Sequence, residues 1–327
     1  MPPPLCDRER RRPRVLVVTG PTACGKSAFA ANVAARFGGT VINADSMQIY
    51  REVPILSAQP DAATQALAPH RLYGVRAAAD ACSALAWRDL AMAEIATARA
   101  AGTLPILVGG TGLYLRALLQ GLVEIPDIPS AIRAAVRERQ QHDPPAVLHA
   151  ELARRDPVMA KRLDVADTQR VARALEVIEA TGVSLASYQA APEAGPAPVR
   201  ALLLAALPPR PPLYRKIETR LDVMVQAGAL DEVAGLLEQG LDPTLPAMKA
   251  VGVPQLARYV RGEAPLDVAL ADAKTATRRY AKRQLTWVRH QTPRDADTAT
   301  FVPAQFSKRL NPVLFNEIRA FLLTAQP

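Results

Sequence analysis

The sequence predicts an α/β fold, with a parallel sheet core into which an all-helical domain is inserted. Short, β-branched apolar segments alternate with alanine-rich helical segments up to Gln120, and this alternation is typical of a parallel sheet covered by helices. After Ile125 the pattern changes, and residues 130–189 show helical periodicity without a convincing strand. Residues 199–207 are again apolar, which predicts a strand that returns to the sheet.

The individual elements follow from the apolar segments and from their glycine and proline boundaries. The first strand runs into a glycine-rich turn, and the helix that follows begins at Lys26. The last predicted strand is closed by Pro208 and Pro209. The predicted strands are residues 14–19, 40–43, 104–108 and 199–207, and the predicted helices are residues 26–37, 85–101, 111–120, 212–227, 231–239 and 266–289.

Composition indicates a protein that folds in water. The chain has 327 residues, of which 49% are apolar and 22% charged, values ordinary for soluble globular proteins. The longest apolar runs are far shorter than the roughly 20 residues that cross a bilayer, so no membrane span is predicted. Cys6, Cys24 and Cys82 form no CxxC pair, which predicts neither a disulfide framework nor a zinc site and favours the reducing cytoplasm.

The segment Gly20-Pro-Thr-Ala-Cys-Gly-Lys-Ser27 matches the P-loop pattern GxxxxGK[ST] and lies between a predicted strand and a predicted helix. Its glycines allow successive N–H groups to turn toward an anion, and the start of the helix adds partial positive charge. Lys26 is suited to a terminal phosphate and Ser27 to Mg²⁺. The predicted phosphate-binding residues are Gly20, Pro21, Thr22, Ala23, Cys24, Gly25, Lys26 and Ser27, with Cys24 as a small filler.

The motif predicts a diphosphate or triphosphate ligand on a P-loop NTPase-like core. A nucleotide-hydrolysing enzyme of this class also carries an apolar strand that ends in Asp. Here the strand at residues 105–108 is followed by Gly109-Gly-Thr-Gly112 instead. The missing carboxylate weakens the NTPase interpretation, which stays open at this point.

These boundaries divide the chain into five segments, and the core is interrupted by the helical insertion. We expect a disordered basic tail (1–13), the first part of the P-loop core (14–125), an inserted helical domain (126–195), the second part of the core with a basic helix (196–290) and a C-terminal tail (291–327).

Asp45 comes just after the second predicted strand, at the carboxyl edge where open α/β sheets bind their ligands. A carboxylate at that edge can accept a proton from a reacting group. The alternative is a helix N-cap, which is common for Asp in a loop. Ser46 and Gln48 can hydrogen-bond base edges, although each is also an ordinary turn residue.

The net charge of +9 favours a polyanionic partner. Residues 274–289 hold six basic residues and no acid, and Lys274, Arg278 and Lys282 recur on one helix face. That spacing suits contact with a phosphate backbone. A solvated basic face without a partner is the alternative, and Tyr280 and Trp287 are interpreted as core residues in preference to a stacking platform.

Three motifs taken together resemble those of the bacterial tRNA dimethylallyltransferases, also called tRNA isopentenyltransferases. They are GPTACGKS, NADSMQIYR and VGGTGLYLRAL, which begin at Gly20, Asn43 and Val108. The segments 167–176 and 274–289 are also similar to tRNA-contacting parts of that family. The resemblance extends over residues 14–290.

The resemblance implies transfer of a dimethylallyl group from dimethylallyl diphosphate to N6 of the adenosine 3′-adjacent to the anticodon, position 37. The implied substrates are tRNAs that read codons beginning with U, held by the inserted domain and the core around the anticodon stem-loop. It further implies a prenyl diphosphate in the P-loop in place of ATP, assistance by Mg²⁺, and a cytoplasmic monomer.

The resemblance implies roles only for residues at positions that match the family motifs. Asp45 resembles the general base, Thr22 a catalytic residue of the diphosphate cradle, and Arg220 a clamp on the pyrophosphate; Ser27 is the expected Mg²⁺ ligand. The expected tRNA-binding residues are Asp45, Ser46, Met47, Gln48, Thr111, Arg133, Gln169, Arg170, Val171, Ala172, Arg173, Lys274, Arg278 and Lys282.

The chain departs from the family pattern at residues 249–254. Where the family usually has Arg-x-x-Gly-Tyr-Arg, this sequence reads Lys249-Ala-Val-Gly-Val-Pro254, so one bidentate guanidinium and an aromatic ring are lost. Two competing functions share the P-loop: a kinase acting on a nucleotide or small metabolite, and a non-catalytic or nucleotide-switched RNA-binding protein. Phosphate transfer from ATP would favour the first, and function without Asp45 the second.

Overall fold

The computed structural model describes residues 12–190, 195–292, 298–307 and 311–323. Residues 1–11 of the predicted disordered tail lie outside the described residues. Two compact units are present: Met1–Gln120 with Pro196–Pro327, and Gly121–Gly195. No described helix is both long and apolar enough to cross a membrane.

The first unit is built on a six-stranded sheet in which every strand pair is parallel. The four inner strands are almost wholly buried, as expected when helices cover both faces of a parallel sheet. The strand order is β3-β2-β4-β1-β5-β6. The strands are β1 Arg14–Thr19, β2 Gly39–Asn43, β3 His70–Arg71, β4 Leu104–Gly109, β5 Arg200–Ala206 and β6 Thr298–Val302.

Helices connect these strands and form the second unit, which spans α6 to α10. In chain order they are α1 Lys26–Phe37, α2 Pro54–Ser57, α3 Ala62–Gln65, α4 Ala84–Ala100, α5 Gly112–Leu119, α6 Ser130–His142, α7 Pro145–Arg155, α8 Pro157–Arg162, α9 Thr168–Thr181, α10 Leu185–Ala190, α11 Arg210–Gln226, α12 Ala229–Glu238, α13 Val253–Val260, α14 Leu266–Gln291 and α15 Pro312–Leu323, with a 3-10 turn at Ala247–Lys249.

The predicted α/β class with a parallel sheet is confirmed, but the C-terminal part of the chain differs from the prediction. Residues 291–327 are predicted as a tail, whereas the structure places β6 and α15 there. β6 is a short edge strand whose partner is β5, from Leu202↔Thr298 to Ala206↔Val302. Such a strand depends on pairing with residues far away in the chain, and local patterns do not reveal it.

Strand order determines where a ligand can bind. β1 lies between β4 and β5, where the chain passes from one half of the sheet to the other. Open α/β sheets bind ligands outside the carboxyl ends of their strands at such a point. The P-loop follows β1, Asp45 follows β2 and the segment Gly109–Gly112 follows β4, so all three meet at one edge.

The second unit has its own apolar core, and two of its buried carboxylates are paired with arginines. Glu151 on α7 is paired with Arg139 and Arg155, and Glu176 on α9 with Arg137 and Arg173. The Arg139 hydrogen bond lowers the pKa of Glu151, which therefore remains an anion near neutral pH. The core is formed by Ile128, Val136, Leu148, Leu152, Met159, Ala160, Val171, Ala172, Ala174, Leu175, Val177, Leu185 and Ala186.

Gly109 sits where two main-chain segments approach too closely for any side chain. The Ala44 N–H donates to the Val108 carbonyl at 2.8 Å, and a Cβ at Gly109 would overlap the carbonyl group of Ala44. Only glycine permits this approach, which holds the segment before Asp45 against the end of β4.

We predict that Gly109→Ala lowers the free energy of unfolding by about 1–3 kcal/mol or more, because the added methyl forces the main chains apart. Gly235→Ala is the matched control. Gly235 lies inside α12 with nothing near its Cβ position, so the same substitution should stabilise the helix by up to about 1 kcal/mol. Urea unfolding of both variants checks this, and equal effects would contradict the steric explanation.

Candidate active site

The P-loop adopts a conformation that depends on its glycines. Gly20 and Gly25 have φ angles of +147° and +90°, and Ala23 is a non-glycine residue at +63°. Gly25 occupies the N-cap position of α1, so the loop leads directly into the start of that helix. The Lys26 ammonium folds back and donates to the Pro21 carbonyl at 2.8 Å. The loop thus has positive φ angles at its glycines and leads into a helix start, where main-chain N–H groups favour an anion.

Gln284 on α14 links the P-loop to the loop after β4. Its Oε1 accepts a hydrogen bond from the Thr22 N–H at 2.7 Å, and its Nε2 donates to the Gly110 carbonyl at 3.0 Å. The residue is only 5% exposed. Sequence analysis missed it, because a glutamine within a basic helix resembles a surface residue; the only available signal was its place between Ala281 and Leu285 on the buried side of the helix.

Asp45 is held by a local network at the end of β2. The Asn43 Oδ1 accepts from the Asp45 N–H at 2.7 Å, and the Asn43 Nδ2 donates to the carbonyls of Asp45 and Leu72 at 2.9 and 3.0 Å. The Asp45 Oδ1 accepts from the Met47 N–H at 3.0 Å. The segment forms turns and no helix starts there, so the N-cap alternative is wrong.

Two adjoining pockets meet at Asp45. The phosphate pocket, about 290 Å³, is lined by the P-loop, by Asp61 and by two cations of α11. The apolar pocket, about 220 Å³, is lined mainly by hydrophobic side chains. Asp45, Thr22, Ala23, Ser57 and Arg220 line both. The other principal lining residues are Gly25, Lys26, Ser27, Gln48 and Lys216 in the phosphate pocket, and Ser46, Met47, Leu56, Ile217, Leu221, Met224, Val251, Tyr280 and Arg283 in the apolar pocket.

The charges of the phosphate pocket favour an anion. Burial lowers the pKa of Arg220, and the negative charge of Asp45 opposes this effect; a guanidinium nevertheless remains a cation at neutral pH. Burial raises the pKa of the fully enclosed Cys24 thiol, against the opposing positive charges of Lys26 and Lys216. Cys24 thus fills space behind the loop as a neutral thiol, in agreement with its interpretation as a small filler.

The residues next to Asp45 are fixed by the chain itself. The Ser46 N–H donates to the Thr111 Oγ1 at 2.9 Å, and the Thr111 hydroxyl donates to the Ser46 Oγ at 3.2 Å. Gln48 is largely buried, and its Nε2 donates to the carbonyls of Ser57 and Ala58, both at 2.9 Å. Gln48 therefore supports the pocket wall, and its donor is not directed to a base edge.

Tyr280 and Trp287 have different surroundings. Trp287 packs against the core, and a Cβ at Gly112 would overlap its ring. Tyr280 instead lines the apolar pocket, and the Arg283 guanidinium lies over its ring, 5.6 Å from the ring centroid. The core interpretation is therefore right for Trp287 and wrong for Tyr280, because the pocket opens on that side of α14.

The expected basic face of α14 is partly neutralised by α11. Lys274 is paired with Asp222 at 2.5 Å, and Arg278 is paired with Glu218. Lys282 is exposed and has no ion pair among the described residues. The three residues therefore do not form one row of cations available to a phosphate backbone, because Lys274 and Arg278 already face acidic partners on the neighbouring helix.

The predicted contact segment on α9 divides between surface and core. Val171 and Ala172 are buried in the core of the second unit, so their side chains cannot contact RNA, and this expectation is corrected. Gln169 and Arg170 are exposed, with Arg170 paired to Asp167 at 3.2 Å. Arg173 is paired with Glu176. Arg133, on α6 in the same unit, is partly exposed.

Comparison with known proteins identifies the family of this chain. The family model of the IPP transferases matches residues 48–291. A tRNA dimethylallyltransferase of Rhodospirillum rubrum is 52% identical over 311 residues, which cover 95% of each chain. This chain belongs to the tRNA dimethylallyltransferase family. The resemblance found in the sequence is thereby confirmed.

Solved structures support the same family. A tRNA isopentenylpyrophosphate transferase of Bacillus halodurans is 30% identical, covers 95% of each chain and superposes with a TM-score of 0.65. A eukaryotic dimethylallyltransferase, described as acting on tRNA, superposes with a TM-score of 0.75 at 24% identity. The match covers 95% of this chain and 80% of the other. At that identity the second likeness concerns the fold alone. Both likenesses extend over 95% of this chain.

We predict that Gln284→Leu destabilises this family member by about 1–3 kcal/mol, because a partly buried N–H and a partly buried carbonyl lose their partner. The control is Gln226→Leu at an exposed position on α11, where the change should stay within about 0.5 kcal/mol. Urea unfolding measures both. An unchanged midpoint for Gln284→Leu would show that the bridge contributes nothing to stability.

Proposed function

We propose that this protein transfers a dimethylallyl group from dimethylallyl diphosphate to N6 of the adenosine at position 37 of tRNAs that read codons beginning with U. The observation that carries the proposal is the position of Asp45 on the wall common to the phosphate pocket and the apolar pocket. A proton acceptor there stands beside both a site for a leaving diphosphate and a site for uncharged groups. The names of the relatives support the same reaction.

The donor diphosphate is assigned to the phosphate pocket. Main-chain N–H groups of the loop, the Lys26 ammonium and the Arg220 guanidinium supply positive charge and hydrogen-bond donors there. The five-carbon group and the target base are assigned to the apolar pocket, whose wall includes Met47, Leu221 and Tyr280. To enter it, the adenosine has to leave the stack of the anticodon loop, as other enzymes that modify bases require.

The residues present also fit Mg²⁺. Ser27 lines the phosphate pocket beside Lys26, and its hydroxyl is an oxygen donor. This donor set suits Mg²⁺, which keeps several waters and is commonly held by few protein groups together with substrate phosphates. Ser27 would hold the ion, which when bound supplies positive charge to the departing diphosphate. Asp61 is already engaged as the N-cap of α3.

Asp45 is the proposed general base. The lone pair of an exocyclic amine is delocalised into the adenine ring, so N6 becomes a better nucleophile when a base takes its proton. The C–N bond forms while the C–O bond to the diphosphate breaks, and the diphosphate leaves with the electron pair. Lys26 and Arg220 stabilise the charge that develops on it. The Met47 N–H holds one carboxylate oxygen of Asp45 in place.

tRNA binding is proposed for both units, each through groups on its own surface. In the second unit the exposed Gln169 and Arg170 and the partly exposed Arg133 are the candidate contacts to the stem-loop. In the first unit Lys282 is the most exposed of the three predicted cations. These groups suit phosphate contacts and contacts to unpaired bases.

The proposed reaction is tested with purified protein, Mg²⁺ and unmodified tRNA that carries adenosine at position 37. Dimethylallyl diphosphate or ATP is added, and the nucleosides are then analysed by mass spectrometry. We expect a prenyl mass gain on adenosine with the diphosphate alone. Phosphate transfer from ATP without any prenylation would instead support the competing kinase function.

Asp45→Asn keeps the shape of the side chain but removes the base. We expect single-turnover prenyl transfer to fall by about 10²–10⁴-fold, the usual contribution of a general base, while the Kd for tRNA changes little. Asp89→Asn, at an exposed position on α4, serves as the control and should react at the wild-type rate. Full activity in Asp45→Asn with normal tRNA binding would refute the assignment.

A further inference from the structure

α11 presents two cations to the phosphate pocket. Lys216 and Arg220 both line it, and their spacing of four residues places them on the same side of the helix. Arg220 is expected from the family motif, whereas Lys216 has no role in the mechanism described so far. Its ammonium is exposed at the pocket and its charge acts on the Cys24 thiol behind the loop.

A short C-terminal segment holds the Lys216 side chain. The segment is the C-terminal hook, defined as residues 303–307, which follows β6. Within it the Gln305 Oε1 accepts a hydrogen bond from the Lys216 Nζ at 3.2 Å. Among the described residues this is the one hydrogen bond of the ammonium, and it uses one of its three protons, so two donors remain for a ligand.

Phe306 attaches the hook to the P-loop from behind. Its N–H donates to the Cys24 carbonyl at 2.8 Å, and its ring stacks on Phe29 of α1 with centroids 4.6 Å apart. A Cβ at Gly25 would lie 2.5 Å from the Phe306 carbonyl oxygen. The position of Gln305 is therefore tied to the loop itself, and the hydrogen bond to Lys216 is part of a connected arrangement.

We propose that Lys216 is a further ligand of the diphosphate and that Gln305 is a positioning residue which keeps the Lys216 ammonium at the pocket. The diphosphate carries several negative charges, and the pocket provides Lys26 and Arg220 on its loop and helix walls. An ammonium with two free donors completes the cationic lining. The identity of the ligand rests on the proposed function; the role of Lys216 rests on the contacts above.

The hook lies beyond the part of the chain that the family model describes. That model ends at residue 291, whereas the hydrogen bond from Lys216 reaches residue 305. The proposed role in ligand binding thus falls on a segment outside the residues that the family model matches.

Binding of inorganic pyrophosphate to the full chain, measured by titration calorimetry in the presence of Mg²⁺, tests the proposal without relying on prenyl transfer. We expect Lys216→Ala to raise the Kd about tenfold, the effect of losing one charge-assisted contact. Gln305→Ala should raise it about two- to threefold, and the double variant no more than Lys216→Ala alone, because the two residues act through one contact. Lys216→Arg should recover most of the affinity.

Arg215→Ala is the matched control, since it removes the same charge from the adjacent residue, which is exposed and does not line the pocket. Its Kd should equal that of the wild type. Equal Kd values for Lys216→Ala and Arg215→Ala would overturn the proposal. If Gln305→Ala binds pyrophosphate with the wild-type Kd while Lys216→Ala binds it more weakly, the positioning role of Gln305 is overturned.

Steady-state kinetics separate this inference from the proposed function. Lys216→Ala should raise the KM for dimethylallyl diphosphate and leave the KM for tRNA unchanged. If the wild type binds pyrophosphate through Lys216 but prenylates no tRNA, the proposed function fails and the ligand assignment stands. If the wild type prenylates tRNA and Lys216→Ala has an unchanged KM for the diphosphate, the ligand assignment fails and the function stands.

Discussion

The site depends on one buried amide, that of Gln284, which joins the two glycine-containing loops at the carboxyl edge of the sheet. It accepts from the loop after β1 and donates to the loop after β4. Both loops contain glycines, and β1 and β4, which precede them, are paired up to Thr19↔Gly109. The Gln284 amide extends this connection from the strands to the loops. Because Gln284 belongs to α14, the same contact fixes the helix that brings Tyr280 to the apolar pocket.

Local motifs located two features that line the pockets, the P-loop and Asp45. The P-loop is a contiguous pattern with a required strand before it and helix after it, and Asp45 follows a recognisable strand. Both could be located because each depends on residues close in the chain. Gln284, Lys216 and Gln305 contribute through contacts between residues far apart, and no periodicity or spacing indicates such pairs.

The wrong expectations have a common physical cause. Helical spacing tells which residues share a face but not what that face contacts. The face of α14 that carries Lys274 and Arg278 meets two carboxylates of α11, and Val171 and Ala172 belong to the apolar side of α9. A family motif identifies a segment of sequence, but only one side of a helical segment can face a ligand.

The C-terminal hook also concerns the order in which the protein is made. The P-loop is synthesised among the first residues of the sheet, yet Phe306, which stacks against α1 behind it, comes after the last strand. N-terminal parts of a chain begin to fold while the ribosome is still working, but here Phe306, which supports the P-loop, is translated only after β6. The P-loop therefore gains its stacking partner only after the second unit and β6 have been synthesised.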